Sequence, residues 1–181
     1  MLAGCGSTPA PEVQVQEEVP APVVEEKTEI PAPKEKNEYE KSVGTLTVSQ
    51  DTFEADKAEI LRIIDALKSI MRDMDYKSWL LYVDSESKVY WSQPVNLKKA
   101  QRKLPIKGLQ LQNLQDYFKY VFVPSRAGRD ITTIRYESET SVKAVHITEQ
   151  ETENSVEKYT VYYYFYKIDG HWQLHLPELE G

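Results

Sequence analysis

The chain has 181 residues, 22 Lys and Arg against 29 Asp and Glu, a net charge of −7 and one cysteine. That length holds one ordinary domain and a tail. A single cysteine excludes an intrachain disulfide, an acidic chain without a strong basic stripe is a poor nucleic-acid partner, and no run reaches the ~18 consecutive apolar residues of a membrane-spanning helix.

Residues 1–42 carry nine Glu, four Lys and six of the ten prolines, with Tyr39 as the single aromatic. So little apolar bulk cannot offset the entropy of ordering the segment. The Pro-Ala-Pro pieces at 20–22 and 31–33 favour polyproline II. Composition therefore predicts a disordered Pro/Glu-rich linker over 6–45, ahead of a folded domain over 46–181. At ~3 Å per residue such a tether reaches about 100 Å when extended. Leu2-Ala3-Gly4-Cys5, directly before it, resembles the lipobox of bacterial lipoproteins, in which the Cys is lipidated and becomes the first residue after cleavage. The resemblance implies that residues 1–5 are a signal-peptide remnant, that Cys5 is lipidated, and that the protein is extracytoplasmic and membrane-anchored. Gly6, where Asp would signal inner-membrane retention, implies the outer membrane or cell surface in a two-membrane cell. No basic and apolar leader precedes the motif, so the start is expected to be truncated or misassigned.

Asp51-Thr52-Phe53-Glu54 has capping-box spacing and predicts a helix start. Phe53, Ile60, Ile63, Ile64, Leu67, Ile70, Met71 and Met74 fall on one arc of that helix, which is expected to end near Asp75. A short helix follows over about 76–83, with Trp79, Leu80 and Tyr82. Ser92–Lys107 reads as a polar segment, and a third helix spans roughly 109–121.

After Pro124 the pattern turns to strands, at Ile131–Tyr136, Val142–Thr148 and Tyr159–Lys167. Asp169-Gly170 is a hairpin signal, since both residues tolerate the positive φ of a type I′ turn. Trp172, Leu174 and Leu176 then alternate with polar neighbours. Helices followed by antiparallel strands give an α+β class, with helices on one face of a curved sheet. The order of elements and the closing Lys167-Ile168-Asp169-Gly170-His171-Trp172-Gln173-Leu174 resemble the NTF2-like (SnoaL-like) superfamily over about residues 50–177. That resemblance implies a cystatin-like cone with a pocket between sheet and helices. The fold does not deliver one function, because the superfamily holds enzymes, ligand binders and interaction domains alike.

Strict alternation along Tyr159–Tyr166 puts Tyr162, Tyr164 and Tyr166 on one face and Tyr159, Val161, Tyr163 and Phe165 on the other. One face must meet the helices. The other either pairs across strands or lines a pocket with Tyr76, Trp79, Tyr90 and Trp91 at its mouth and His146 as the inward polar group. Asp75 or Asp84 is the carboxylate that could partner His146 for acid–base work, but nothing in the linear sequence brings them together. No catalytic residue, metal ligand or cofactor is assigned. His171 and His175 stand about 13 Å apart along a strand, too far for one ion. Lys98, Lys99, Arg102 and Lys103 form the basic cluster, a solvated face or an anion contact. The expected function is non-catalytic binding or scaffolding at the cell envelope, with the membrane and another envelope protein as partners. The alternative is a binder of, or enzyme acting on, a small apolar molecule.

Overall fold

The computed structural model describes residues 36–106, 108–150 and 156–179. The lipobox, Cys5 and the first 30 positions of the expected linker (6–35) lie outside them.

The end of the expected linker is folded. Asn37 and Glu40 form a reciprocal capping box that starts α1, Glu38–Val43, and Gly44 at φ 62° closes it. Ser42 and Val43 are buried. Tyr39 packs on Phe53 at 5.7 Å between ring centroids, and its hydroxyl donates to the Val48 carbonyl. The domain therefore begins before residue 46. Proline-poor chemistry over 36–45, and not net charge, marks the border.

Helix α2, Gln50–Arg72, starts two residues earlier than the spacing predicts. Ser49, not Asp51, is its N-cap and accepts the Thr52 N–H. Its inward face buries Phe53, Ile60, Ile63, Ile64, Leu67 and Met71, as the periodicity requires. Helix α3, Tyr76–Tyr82, is capped by Asp75. Helix α5, Pro94–Arg102, stands within what reads as a polar stretch, and α4, Ser85–Trp91, precedes it where no helix was expected. Each is short and half-exposed, so neither shows a long apolar arc.

The last helical stretch runs from α6, Leu114–Tyr117, through a π turn over Phe118–Phe122 into α7, Val123–Arg126. Pro124 does not stop it. Proline lacks the N–H and crowds the carbonyl four residues back. The widened turn, with Val123 N–H donating to Phe118 O, accommodates that ring, and Ser125 Oγ donates to Val121 O at 2.7 Å.

Four antiparallel strands follow in sequential order: β1 Thr133–Ser138, β2 Ser141–Glu149, β3 Lys158–Ile168 and β4 His171–His175. The β3–β4 turn has Asp169 at φ 51° and Gly170 at φ 80°, as expected of a type I′ hairpin. Ile134, Val142, Ala144, Tyr163, Phe165, Trp172 and Leu174 face the helices and are buried. The alternation predicted for β3 breaks at one place. Ala144 pairs with Tyr163 but Val145 pairs with Val161, so Tyr162 is the extra residue of a bulge. It packs partly against the core while Tyr164 and Tyr166 stay on the outer face.

Buried polar groups join the helices to the sheet. Asp56 of α2, 4% exposed, accepts from Tyr136 Oη (2.7 Å), Lys167 Nζ (2.8 Å) and Trp172 Nε1 (2.9 Å). Arg135 of β1 donates twice to Glu157 at 2.9 Å and once to Glu38 at 2.8 Å, which ties α1 to the sheet.

Candidate functional site

The most chemically loaded cluster lies where α4 meets β4. Asp84 ends the extended residue after α3 and caps α4, accepting the Ser87 amide at 2.6 Å and the Ser87 hydroxyl at 2.9 Å. Its second oxygen also holds His175 Nδ1 at 2.8 Å. A carboxylate only accepts, so Nδ1 carries the proton. Ser87 Oγ in turn accepts the Leu176 amide at 2.8 Å, and Tyr166 stacks on the His175 imidazole at 4.0 Å. Asp84 and Ser87 are 1% exposed and His175 8%.

Asp, His and Ser together invite comparison with a nucleophilic triad, but the roles differ. In a triad the serine proton goes to a histidine nitrogen that the acid does not touch. Here Ser87 gives its proton to the acid and sits 3.3 Å from the same nitrogen that the acid holds. The hydroxyl has no base, and the cluster acts as a clamp between α4 and β4. Burial works against the Asp84 charge, but hydrogen bonds from His175 and Ser87 outweigh it and hold the carboxyl below its ordinary value. The stability that charged Asp84 contributes is therefore present above the unfolded pKa, about 3.9, and is lost as pH falls through the lower folded pKa. Asp84→Asn is expected to cost about 1–3 kcal/mol at pH 7. Its stability, read by urea unfolding, should also fall less than the parent's between pH 5 and pH 3. A parallel acid limb in both proteins would contradict the clamp.

An open groove of about 510 Å³ runs beside the clamp, between α4, α5 and the C-terminal segment, and is lined by Ser85, Glu86, Val89, Tyr90, Gln93, Asn96 and Glu178. Val89 is 65% exposed there. Tyr90 and Trp91 pin the segment that follows β4: Trp91 Nε1 donates to Leu176 O, and Tyr90 Oη accepts the Leu179 amide. A second hollow of about 260 Å³ lies by Arg135, Glu157 and Tyr159.

Of the residues expected around a pocket, only Tyr90 lines the larger groove. Trp79 is fully buried, with Phe118 and Phe122 at 5.0 and 5.1 Å and Tyr76 beside it. Trp91 is likewise core. These rings, with Tyr163 and Phe165, fill the space where a cone would hold a ligand. His146 faces solvent instead of pointing inward, and its Nδ1 donates to the Asp130 carbonyl at 3.0 Å. Tyr164 lies on the outer face, 5.9 Å from Lys143 Nζ. Tyr162 belongs to the bulge, so the set is not brought together. Asp84 meets His175, not His146. Lys98, Arg102 and Lys103 are exposed on and just after α5, with Lys99 half-buried. Sequence reasoning missed the clamp, although Asp84-x-x-Ser87 carries a cap signal of the same kind as the one credited at 51–54. Among the described residues, no three His, Cys, Asp or Glu are grouped to hold a metal ion, and no helix is long and apolar enough to cross a membrane.

No known protein family and no solved structure matches the chain. A curated relative does: an uncharacterized lipoprotein of Treponema pallidum (strain Nichols), 33% identical over 131 residues. The chain resembles a lipoprotein. The match takes in 72% of this chain and 66% of the relative's length. A stretch that long has to include residues 51–131, so the likeness reaches well into the folded domain.

Proposed function

We propose that the protein is a lipid-anchored cell-envelope lipoprotein whose folded domain binds or scaffolds and does not catalyse. The similarity to a lipoprotein carries this reading, and Leu2-Ala3-Gly4-Cys5 supplies the lipidation site that it needs. The acidic, proline-rich residues up to 35 would then be the stalk between Cys5 and the domain, at the outer membrane or cell surface of a two-membrane cell. Helices preceding an antiparallel meander support an NTF2-like domain, with its pocket space filled by aromatic side chains. The internal use of Asp84, Ser87 and His175 supports the non-catalytic part. A second reading, capture of a small apolar molecule, is favoured by the groove around Val89 and Tyr90.

The anchor has a direct test. The chain is fused behind a basic, apolar leader, so that Leu2-Ala3-Gly4-Cys5 forms the processing site, and expressed in a bacterial host with labelled palmitate. Label and membrane partitioning are expected in the parent and lost in Cys5→Ala. An unlabelled parent, or a Cys5→Ala protein that remains labelled, would sink the assignment.

A further inference from the structure

Helix α4 has two different sides. Ser87 and Trp91 are buried, while Glu86, Val89 and Tyr90 line the open groove of about 510 Å³. Three- and four-residue spacing puts these three on one ridge of the helix, and Gln93, at the turn into α5, continues it. Asn96 of α5 and Glu178 of the segment after β4 line the far side. The Tyr90 hydroxyl holds that segment through the Leu179 amide, so the wall that carries Glu178 is tied to α4.

Three kinds of group meet in this space. Val89 is 65% exposed, a branched apolar side chain left in water beside half-buried Tyr90, and covering it favours an apolar occupant. Glu86 and Glu178 are exposed carboxylates that enter no ion pair among the described residues, and no Lys or Arg lines the groove. Asn96 is only 8% exposed. Its Nδ2 donates to the Tyr90 carbonyl at 2.9 Å, whereas its Oδ1 has no partner among the described residues and is not sealed in the core. A largely buried acceptor left unpaired costs free energy, which favours an occupant that brings an N–H to it.

The apolar ridge takes an apolar side chain, the two carboxylates take a cation, and the amides of Gln93 and Asn96 take peptide N–H and C=O groups. One class of ligand offers all three: a polypeptide segment with Lys or Arg next to apolar residues. A small apolar molecule would leave the carboxylates and the Asn96 oxygen unused. The protein's own residues 1–35 are a poor occupant, because they carry seven Glu against two Lys, the same sign as the groove.

We propose that the groove between α4, α5 and the segment after β4 docks a basic, apolar segment of a partner protein, with Val89 and Tyr90 against its apolar side chain and Glu86 and Glu178 on its cation. This deepens the reading of the domain as a binding module and rests on it.

The test selects random peptides displayed on phage against the full 181-residue chain, then titrates the enriched peptides, synthesised with a fluorescent label, by anisotropy. Enriched sequences are expected to carry Lys or Arg beside an apolar residue. Their binding should weaken about fivefold or more in the Glu86→Gln, Glu178→Gln double variant and in Val89→Ser, and should weaken with added salt. It should be unchanged in the Lys98→Gln, Lys99→Gln pair. Glu86, Val89 and Glu178 are exposed, so these variants are expected to fold. Four results overturn the proposal: no enrichment over bare support, enriched peptides without a basic residue, binding indifferent to the groove variants, or a parent that sediments as a dimer where the groove variants are monomers, which gives the groove to a second copy. Nile red, an uncharged apolar dye, separates these failures from failure of the binding reading itself. Dye bound by the parent and lost in Val89→Ser, with no peptide bound, overturns the proposal but keeps the groove as a binder of small apolar molecules. Neither ligand bound takes the groove out of both.

Discussion

Asp56→Ala is expected to cost about 3–5 kcal/mol, among the largest losses any single side chain of α2 could cause. One carboxylate receives the Lys167 ammonium, the Tyr136 hydroxyl and the Trp172 indole N–H, and these belong to three strands. Deletion strands three donors at once, one of them a cation whose side chain is only 26% exposed. Lys167 also lies 5.1 Å from the Trp172 ring centre, so it cannot swing to water without leaving that contact. Asp56→Asn keeps an acceptor but turns a donor toward the ammonium, and should fall between alanine and the parent. Pairing Asp56→Ala with Lys167→Met should recover part of the loss, because the uncompensated charge is gone. Guanidinium unfolding of the four proteins measures this. A loss below about 1 kcal/mol for Asp56→Ala, or no recovery in the double variant, would mean that the carboxylate is replaceable by water.

Trp79→Ala should cost a similar ~3–5 kcal/mol, for a different reason. Its ring is fully buried against Phe118 and Phe122, so truncation opens a cavity where helices and sheet meet. The indole N–H, however, has no hydrogen-bond partner among the described residues. Trp79→Phe removes that unpaired donor together with some volume, and the two effects oppose each other. The phenylalanine variant should therefore lose less than half of what alanine loses, as read by the unfolding midpoint at constant slope. Equal losses would show that the N–H is satisfied after all. An aromatic residue at a ligand opening would behave differently: either change would leave the unfolding midpoint nearly untouched.

These two residues also show where sequence stops being informative. The apolar arc of α2 and the Asp169-Gly170 turn are local rules, and both appear in the structure, although α2 ends at Arg72 and leaves Met74, expected on that arc, exposed beyond it. Trp79 was visible as an aromatic on a short helix, but seven residues carry too few turns to say which side faces the core. Asp56 looks like one more charge on the polar side of α2, because its three donors are 80, 111 and 116 residues away. The clamp failed to show for the same reason: Asp84 and Ser87 are neighbours, but His175 is 91 positions on. The bulge at Tyr162 puts the side chains before it one residue out of phase with those after it, which no alternation rule anticipates. Pro124 read as a stop, and only the π turn before it lets the helix carry on to Arg126. Cap chemistry was readable at 37–40, where it could have extended the folded region to α1, and at 84–87, where it could have marked the start of α4.

Both rims of the sheet are occupied by groups that are not strands. At β1, the Ile134 carbonyl accepts from Ser42 Oγ and Arg135 Nη1 at 2.8 and 2.9 Å. At β4, Val83 bridges to Leu174, the Asp84 amide donates to the Leu174 carbonyl, and Ser87 receives the Leu176 amide. A neighbouring polypeptide would find these backbone groups already taken, which obstructs strand addition at Ile134 on one side and at Leu174–Leu176 on the other. That guards against the edge-to-edge templating through which open sheets aggregate. It also constrains recognition: a protein partner has to read side chains on a helical surface or on the outer sheet face, and will be selected by shape and charge instead of by backbone pairing.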